Sequence, residues 1–307
     1  MKPSARIIIA VFMSLLSGLS ASAQKTVSIL QILDTKTGKT VVVKEFPYTV
    51  EAPNWTSDGK WLIYNSGGRI YRISPDGGEP EMIDTGEVTG CNNDHVLSPD
   101  GKFIAVSGGY RELPGSRIFI LPIEGGKPRL VTPESPSYLH GWSPDGKYFC
   151  YCAERNGDYD VYAIPAEGGE EVRLTDSPGL DDGPEYAPDG KYIWFNSVRS
   201  GLMQVFRMRA DGTGQRRMTF DEDLNSWFPH VSPDGKKVAM LAYHKGDLEP
   251  GQHLAGKNVI LRVMKSNGRK LRTVHSLFGG QGTINVNSWA PDSRRLAFVS
   301  YIDPSAE

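Results

Sequence analysis

Four side chains able to carry protons, ligate a metal or pair with charge recur at nearly one place relative to a repeated phrase. The phrase is Ser-Pro-Asp-Gly-Lys. Counted back from its Asp, His95 and His140 lie five residues before Asp100 and Asp145, while Glu185 and His230 lie four before Asp189 and Asp234. Imidazole and carboxylate are metal-ligating groups, and imidazole changes charge close to neutral pH. Beside them stand Asn93, Asp94, Asp182, Asn225 and Gln281, with Arg111, Arg155 and Arg199 following the second strands of three successive repeats. Three chemistries are open to such a set. The polar groups could cap strand ends and hold water about an axis. His95, His140 and His230 with Glu185 could hold a divalent metal, although no His-x-His or His-x-x-x-His pair reinforces that reading. A carbohydrate could instead lie against Trp227, Phe228, Tyr138 and Tyr110, with Asp181 and Asp182 as an acid–base pair. No cofactor is predicted; a divalent metal near the axis is the one that these residues admit. The strongest expectation falls on His230, in the aromatic segment Asn225-Ser-Trp-Phe-Pro-His230.

Such residues meet only if the elements that carry them are arranged in a circle, and the repeat supplies that arrangement. The phrase occurs six times, from Trp55-Thr-Ser-Asp58-Gly-Lys60 to the degenerate Trp289-Ala-Pro-Asp292-Ser-Arg294, with Asp steps of 42, 45, 44, 45 and 58 residues. A period in the forties made of short strands predicts an all-β, six-bladed β-propeller with four antiparallel strands per blade. In the third unit the inner strand ends at Gly141 to Ser143, and the turn sends the chain back as Lys147 to Ala153. Tyr159 to Pro165 and Glu171 to Thr175 complete that blade. After Trp289 to Tyr301 the sixth unit has too little chain for its outer pair. The hairpin Thr26 to Leu33 and Lys39 to Phe46 at the other end has no inner pair. Joining them closes the ring and removes a long exposed strand edge. The segments leading into the inner strands differ from unit to unit and share one face, where function is expected. Lys245 to Gly256, holding His253, is the one long insertion and is expected to cover part of that face.

The ends and the composition narrow the setting. Lys2 and Arg6, the apolar stretch Ile7 to Leu19 and Ala21-Ser22-Ala23 have the order of a signal peptide, so residues 1–23 are expected to be removed and 24–307 to form one domain. The 13-residue apolar stretch is short of the ~20 residues that a membrane span needs. The formal charge is −2, or −4 without Lys2 and Arg6, which argues against a nucleic-acid partner. Cys91, Cys150 and Cys152 are an odd set, and the last two share a strand face, so no disulfide framework is expected. Nothing in the sequence calls for a second copy, and a monomer is expected.

The repeated phrase with its preceding aromatic resembles the TolB-type propeller repeat, over Asn54 to Tyr301. TolB is a periplasmic protein of the Tol–Pal envelope machinery with an α/β domain ahead of its propeller, and here only the hairpin precedes the first blade. The resemblance implies a periplasmic or secreted scaffold that binds an envelope protein or a glycan through its loop face. A more distant resemblance is to oligogalacturonate lyase, whose metal ligands include a Gln followed by two alternating His. Gln281 matches that Gln, while Ile284 and Val286 stand where the His would lie. No Gly-x-Ser-x-Gly, P-loop, dinucleotide fingerprint or Cys-x-x-Cys is present. The leading expectation is therefore non-enzymatic. The alternative is a lyase or hydrolase acting on uronate-type oligosaccharides through the central funnel.

Overall fold

Each phrase folds as a turn whose residues satisfy one another. In the second copy Ser98 Oγ donates to Asp100 Oδ1 at 2.7 Å, and Asp100 Oδ1 accepts from the Lys102 amide at 3.1 Å. Phe103 N returns to Ser98 Oγ, and Gly101 takes a φ of +70° that a side chain would resist. The third copy repeats these bonds with Ser143, Asp145 and Lys147. Pro presets φ for the same turn, so the reversal is local and independent of the rest of the chain.

The computed structural model describes residues 26–110 and 113–302. The expected signal peptide and Arg111 lie outside the described residues. Six antiparallel sheets follow one another round a ring, as the spacing predicts. Blade one runs from Glu51–Trp55 to Glu81–Ile83 and blade two from Val88–Leu97 to Arg129–Leu130. Blade three runs from Ser137–Trp142 to Val172–Arg173, blade four from Asp181–Tyr186 to Arg216–Arg217, and blade five from Leu224–Val231 to Arg272–Gly279. Each of these has four strands in sequence order.

Blade six combines both ends. Ser28–Asp34 pairs with Thr40–Phe46 on one side and with Arg295–Tyr301 on the other, in register from Ser28↔Tyr301 to Asp34↔Arg295. Its inner edge is irregular and meets the sheet at the bridge Trp289↔Leu296 and through the Ala297 and Val299 amides, which donate to the Ser288 and Thr283 carbonyls. Gly280 and Gly282 take positive φ there, and the Gly282 amide donates to Asn285 Oδ1 at 2.6 Å. A strand is thus replaced by a loop whose side chains turn toward the axis.

The core lies between the blades. Leu30 and Ile32 of the hairpin pack with Ala297 and Val299 against Trp55, Leu62 and Tyr64 of blade one. On the other side Leu33, Leu296 and Phe298 pack with Leu241 and Leu261 of blade five. Each such side chain contributes roughly 1.5–3 kcal/mol on burial. All three cysteines are free thiols and buried. Among the described residues no helix is long and apolar enough to cross a membrane.

Candidate functional site

Bulges in the inner strands decide which side chains face the axis. In blade two Cys91 pairs with Gly108 and His95 with Val106, so Asn92, Asn93 and Asp94 stand against Ser107 alone. In blade three Leu139 and Gly141 pair with the consecutive residues Tyr151 and Cys150, which leaves His140 without a counterpart. In blade four Gly183 and Pro184 oppose Phe195, and in blade five Phe228, at φ +52°, and Pro229 oppose Met240. An extra residue kinks a strand and re-aims its side chains. Because the bulges differ in length, Asp94 rather than His95 takes the place in blade two that His140 takes in blade three.

The result is a pocket of about 510 Å³ at the axis, into which Asp94, His140 and Asp182 project from three successive blades. His140 Nε2 lies 3.2 Å from Asp182 Oδ1 and 4.0 Å from Asp94 Oδ1. Burial alone would lower the His140 pKa, but the two carboxylates outweigh it and hold the ring raised, to about 9. Asp182 is pushed up by burial and pulled further down by His140 and by the Gly183 amide, which donates to Oδ1 at 2.7 Å. Asp94 behaves differently. Burial drives its carboxyl up to about 7, and Asp182 and Glu51 add to the rise against the charge of His140. Asn92, Asn93, Gln281 and Asn285 supply amides to the walls, and Tyr138 and Tyr159 supply phenols.

The insertion of blade five forms a strap over one side. Tyr243 Oη and the Gln281 amide both donate to the Leu254 carbonyl, at 3.0 and 3.3 Å. This brings Gly251 and His253 to the pocket, and His253 stacks on Trp227 with ring centroids 4.4 Å apart. Burial lowers the His253 pKa, so the ring is neutral at physiological pH.

Of the residues singled out in the sequence, Asn93, Asp94, His140, Asp182, His253 and Gln281 come together here, with Tyr138 of the aromatic set beside them. The others do not line the pocket. His95 is fully buried inside its blade, and burial holds its pKa down to about 4. His230 and Glu185 do meet, at 2.7 Å, but within the packing between blades. Glu185 there also accepts from Val231 N and Asn287 Nδ2, and His230 Nε2 meets the Ile284 carbonyl at 2.5 Å. Arg155 is bound to Glu171 at 2.7 Å and to the Pro136 carbonyl, Arg199 to Asp181 at 2.6 Å, and Asn225 to the Met203 amide. Trp227 is fully buried and serves as the bed for His253.

Two sequence expectations are thereby corrected. His95, His140 and His230 do not converge, since each is held in different surroundings, and among the described residues no group of three His, Cys, Asp or Glu side chains is arranged to hold a metal ion. Asp181 and Asp182 do not act as a pair either, because Asp181 turns to Arg199 while Asp182 turns to His140. Sequence reasoning missed Asn92, Tyr159 and Asn285. Tyr159 follows the hairpin between second and third strands, on the face already marked for function, so its position was available from topology.

The sequence profile of the TolB beta propeller domain matches residues 112–265, half of the chain. An uncharacterized protein of Agrobacterium fabrum is 46% identical over 275 residues, covering 89% of this chain and 92% of the relative. The chain belongs to the TolB-type propeller family. A solved TolB-designated structure from Agrobacterium tumefaciens superposes on this TolB-type propeller with a TM-score of 0.86 at 45% identity, over 90% of this chain and 99% of that one. TolB from Acinetobacter baumannii shares the fold with a TM-score of 0.63 at 20% identity, over 84% of this chain and 65% of that one. An oligogalacturonate lyase in complex with manganese shares the fold alone, with a TM-score of 0.53 at 14% identity over 82% and 73%. Ile284 and Val286, where that lyase family carries His, are fully buried apolar residues of this propeller.

Proposed function

We propose that this TolB-type propeller is an exported scaffold that binds an envelope partner, a protein or a glycan, through its loop face, with the pocket beside His140 as the anchoring point. One observation carries the reading. Bulges of blades two, three and four and the strap of blade five converge on a single recess of about 510 Å³, walled by amides and phenols. Such a lining offers donors and acceptors for recognition. His140 Nε2 and Asp182 pair within it at 3.2 Å. Export rests on the signal-peptide order of residues 1–23. A photoreactive residue placed at Tyr159 in the producing cell should cross-link to a defined envelope partner, and Gln281→Trp, which fills the pocket, should abolish the product. The same residue at Phe220, 69% exposed and remote from the pocket, should not give it. Identical products from both positions would count against the proposal.

A second reading, a lyase or hydrolase of uronate-type oligosaccharides, is favoured by Asp94. A carboxyl raised to about 7 suits general acid–base work. Cleavage of acidic oligosaccharides that disappears in Asp94→Asn would replace binding by turnover.

A further inference from the structure

The carboxyl groups in the pocket are unevenly served with partners, and the shortfall is localised. Asp182 has His140 at 3.2 Å and the Gly183 amide at 2.7 Å. Asp94 shares His140 only at long range and has no amide donor. Its carboxylate accepts no hydrogen bond among the described residues, His140 stands 4.0 Å away and is engaged with Asp182, and the residue is only 5% exposed. A buried carboxylate without a partner is costly, and a group that fills the pocket and donates to it recovers that cost. The remaining titratable neighbours do not supply such a group: His253 is neutral, and Glu51, with Asn65 at 3.1 Å, is a further acid.

From this geometry we infer that the pocket takes a cation, the ammonium or guanidinium of a Lys or Arg side chain on a partner protein, with Asp94 as its counter-ion. The inference rests on the binding reading above and names the ligand class of that site. Tyr138 and Tyr159 line the same pocket, and aromatic rings accept an aliphatic stem or a guanidinium plane. Asn93, Gln281 and Asn285 are placed for the peptide groups on either side of the side chain. An anionic residue would face Asp94 directly.

Calorimetric titration of the purified chain with N-acetyl-lysine methylamide, its arginine, norleucine and glutamate counterparts, and free butylamine tests the assignment. The lysine or arginine probe should bind about tenfold or more tighter than norleucine, the factor that ~1.4 kcal/mol represents. Asp94→Asn should erase that preference. His140→Gln removes the resident positive charge and should tighten the cationic probes, which keeps the test available should Asp94→Asn not fold. Equal binding of norleucine, preference for glutamate, an unchanged Asp94→Asn, or no binding of any probe overturns the cation assignment. Butylamine binding as tightly as the lysine probe overturns the protein source, assigning the site to a free amine. Persistence of the Tyr159 cross-link in any of these cases leaves the binding reading standing, and its absence removes that reading separately.

Discussion

His230 shows how a residue with the right chemistry can serve the fold. Its two ring nitrogens meet Glu185 at 2.7 Å and the Ile284 carbonyl at 2.5 Å, and its own carbonyl accepts from Trp289 Nε1 at 2.9 Å. Blades four, five and six are joined through this one side chain and its peptide. Removing it would leave Glu185, 6% exposed, with the Val231 and Asn287 bonds but without its imidazole partner. Breaking a buried pair from one side costs several kcal/mol, and here the surviving bonds moderate that to about 3 kcal/mol. His230→Ala should therefore lower Tm by ~6–12 °C in thermal unfolding, while the folded variant still cross-links from Tyr159. A nearly unchanged Tm with loss of the cross-link would return His230 to the binding site. The sequence carried the chemistry of His230 and His140 equally. It did not carry their surroundings, which come from three blades apiece.

Among the elements, the strap is held by one close approach. Gly280 has a φ of +120°, and a Cβ there would run into the carbonyl oxygen of Leu254, the group to which Tyr243 and Gln281 donate. Gly280→Ala should cost ~1–3 kcal/mol through backbone strain and lift the strap, taking His253 from its stack on Trp227. Hydrogen exchange over residues 246–256 should speed up while the inner strands stay protected, and the Tyr159 cross-link should weaken. Unaltered exchange in that segment would mean that the strap is held by something other than this contact. The insertion was legible as the 58-residue step. Its place over the loop face was expected as well, but the tie that holds it was not legible, because it runs to blade six through the irregular Gly-rich edge.

The whole ring depends on its closure. Leu30 and Leu33 of the hairpin are fully buried, Ile32 nearly so, and they reach into the cores shared with blade one and with blade five. At ~1.5–3 kcal/mol for each buried side chain, these three alone approach the ~5–15 kcal/mol by which a domain is stable. Deleting residues 26–47 should then abolish cooperative unfolding of the entire propeller rather than trim one blade. A sharp thermal transition near the parent Tm in the deleted chain would show that the ring stands open without its hairpin.

The sequence by itself determined the blade number and, from the strands missing at one end and left over at the other, the closure. The blade number rests on interactions within a few residues: Pro and Gly fixing φ, an Asp side chain bonding the next turn, and the alternation of apolar residues along a strand. The register of the axis residues was decided only in the tertiary structure. Whether His95 or Asp94 turns inward depends on how many extra residues the inner strand carries against the second strand, two in blade two and one in blade three. That number is set by packing against the neighbouring blades, which no local phrase encodes. Hence six of the residues expected at the funnel meet in one pocket, while His95, Glu185 and His230, spaced by the same rule, lie within the protein as part of its frame.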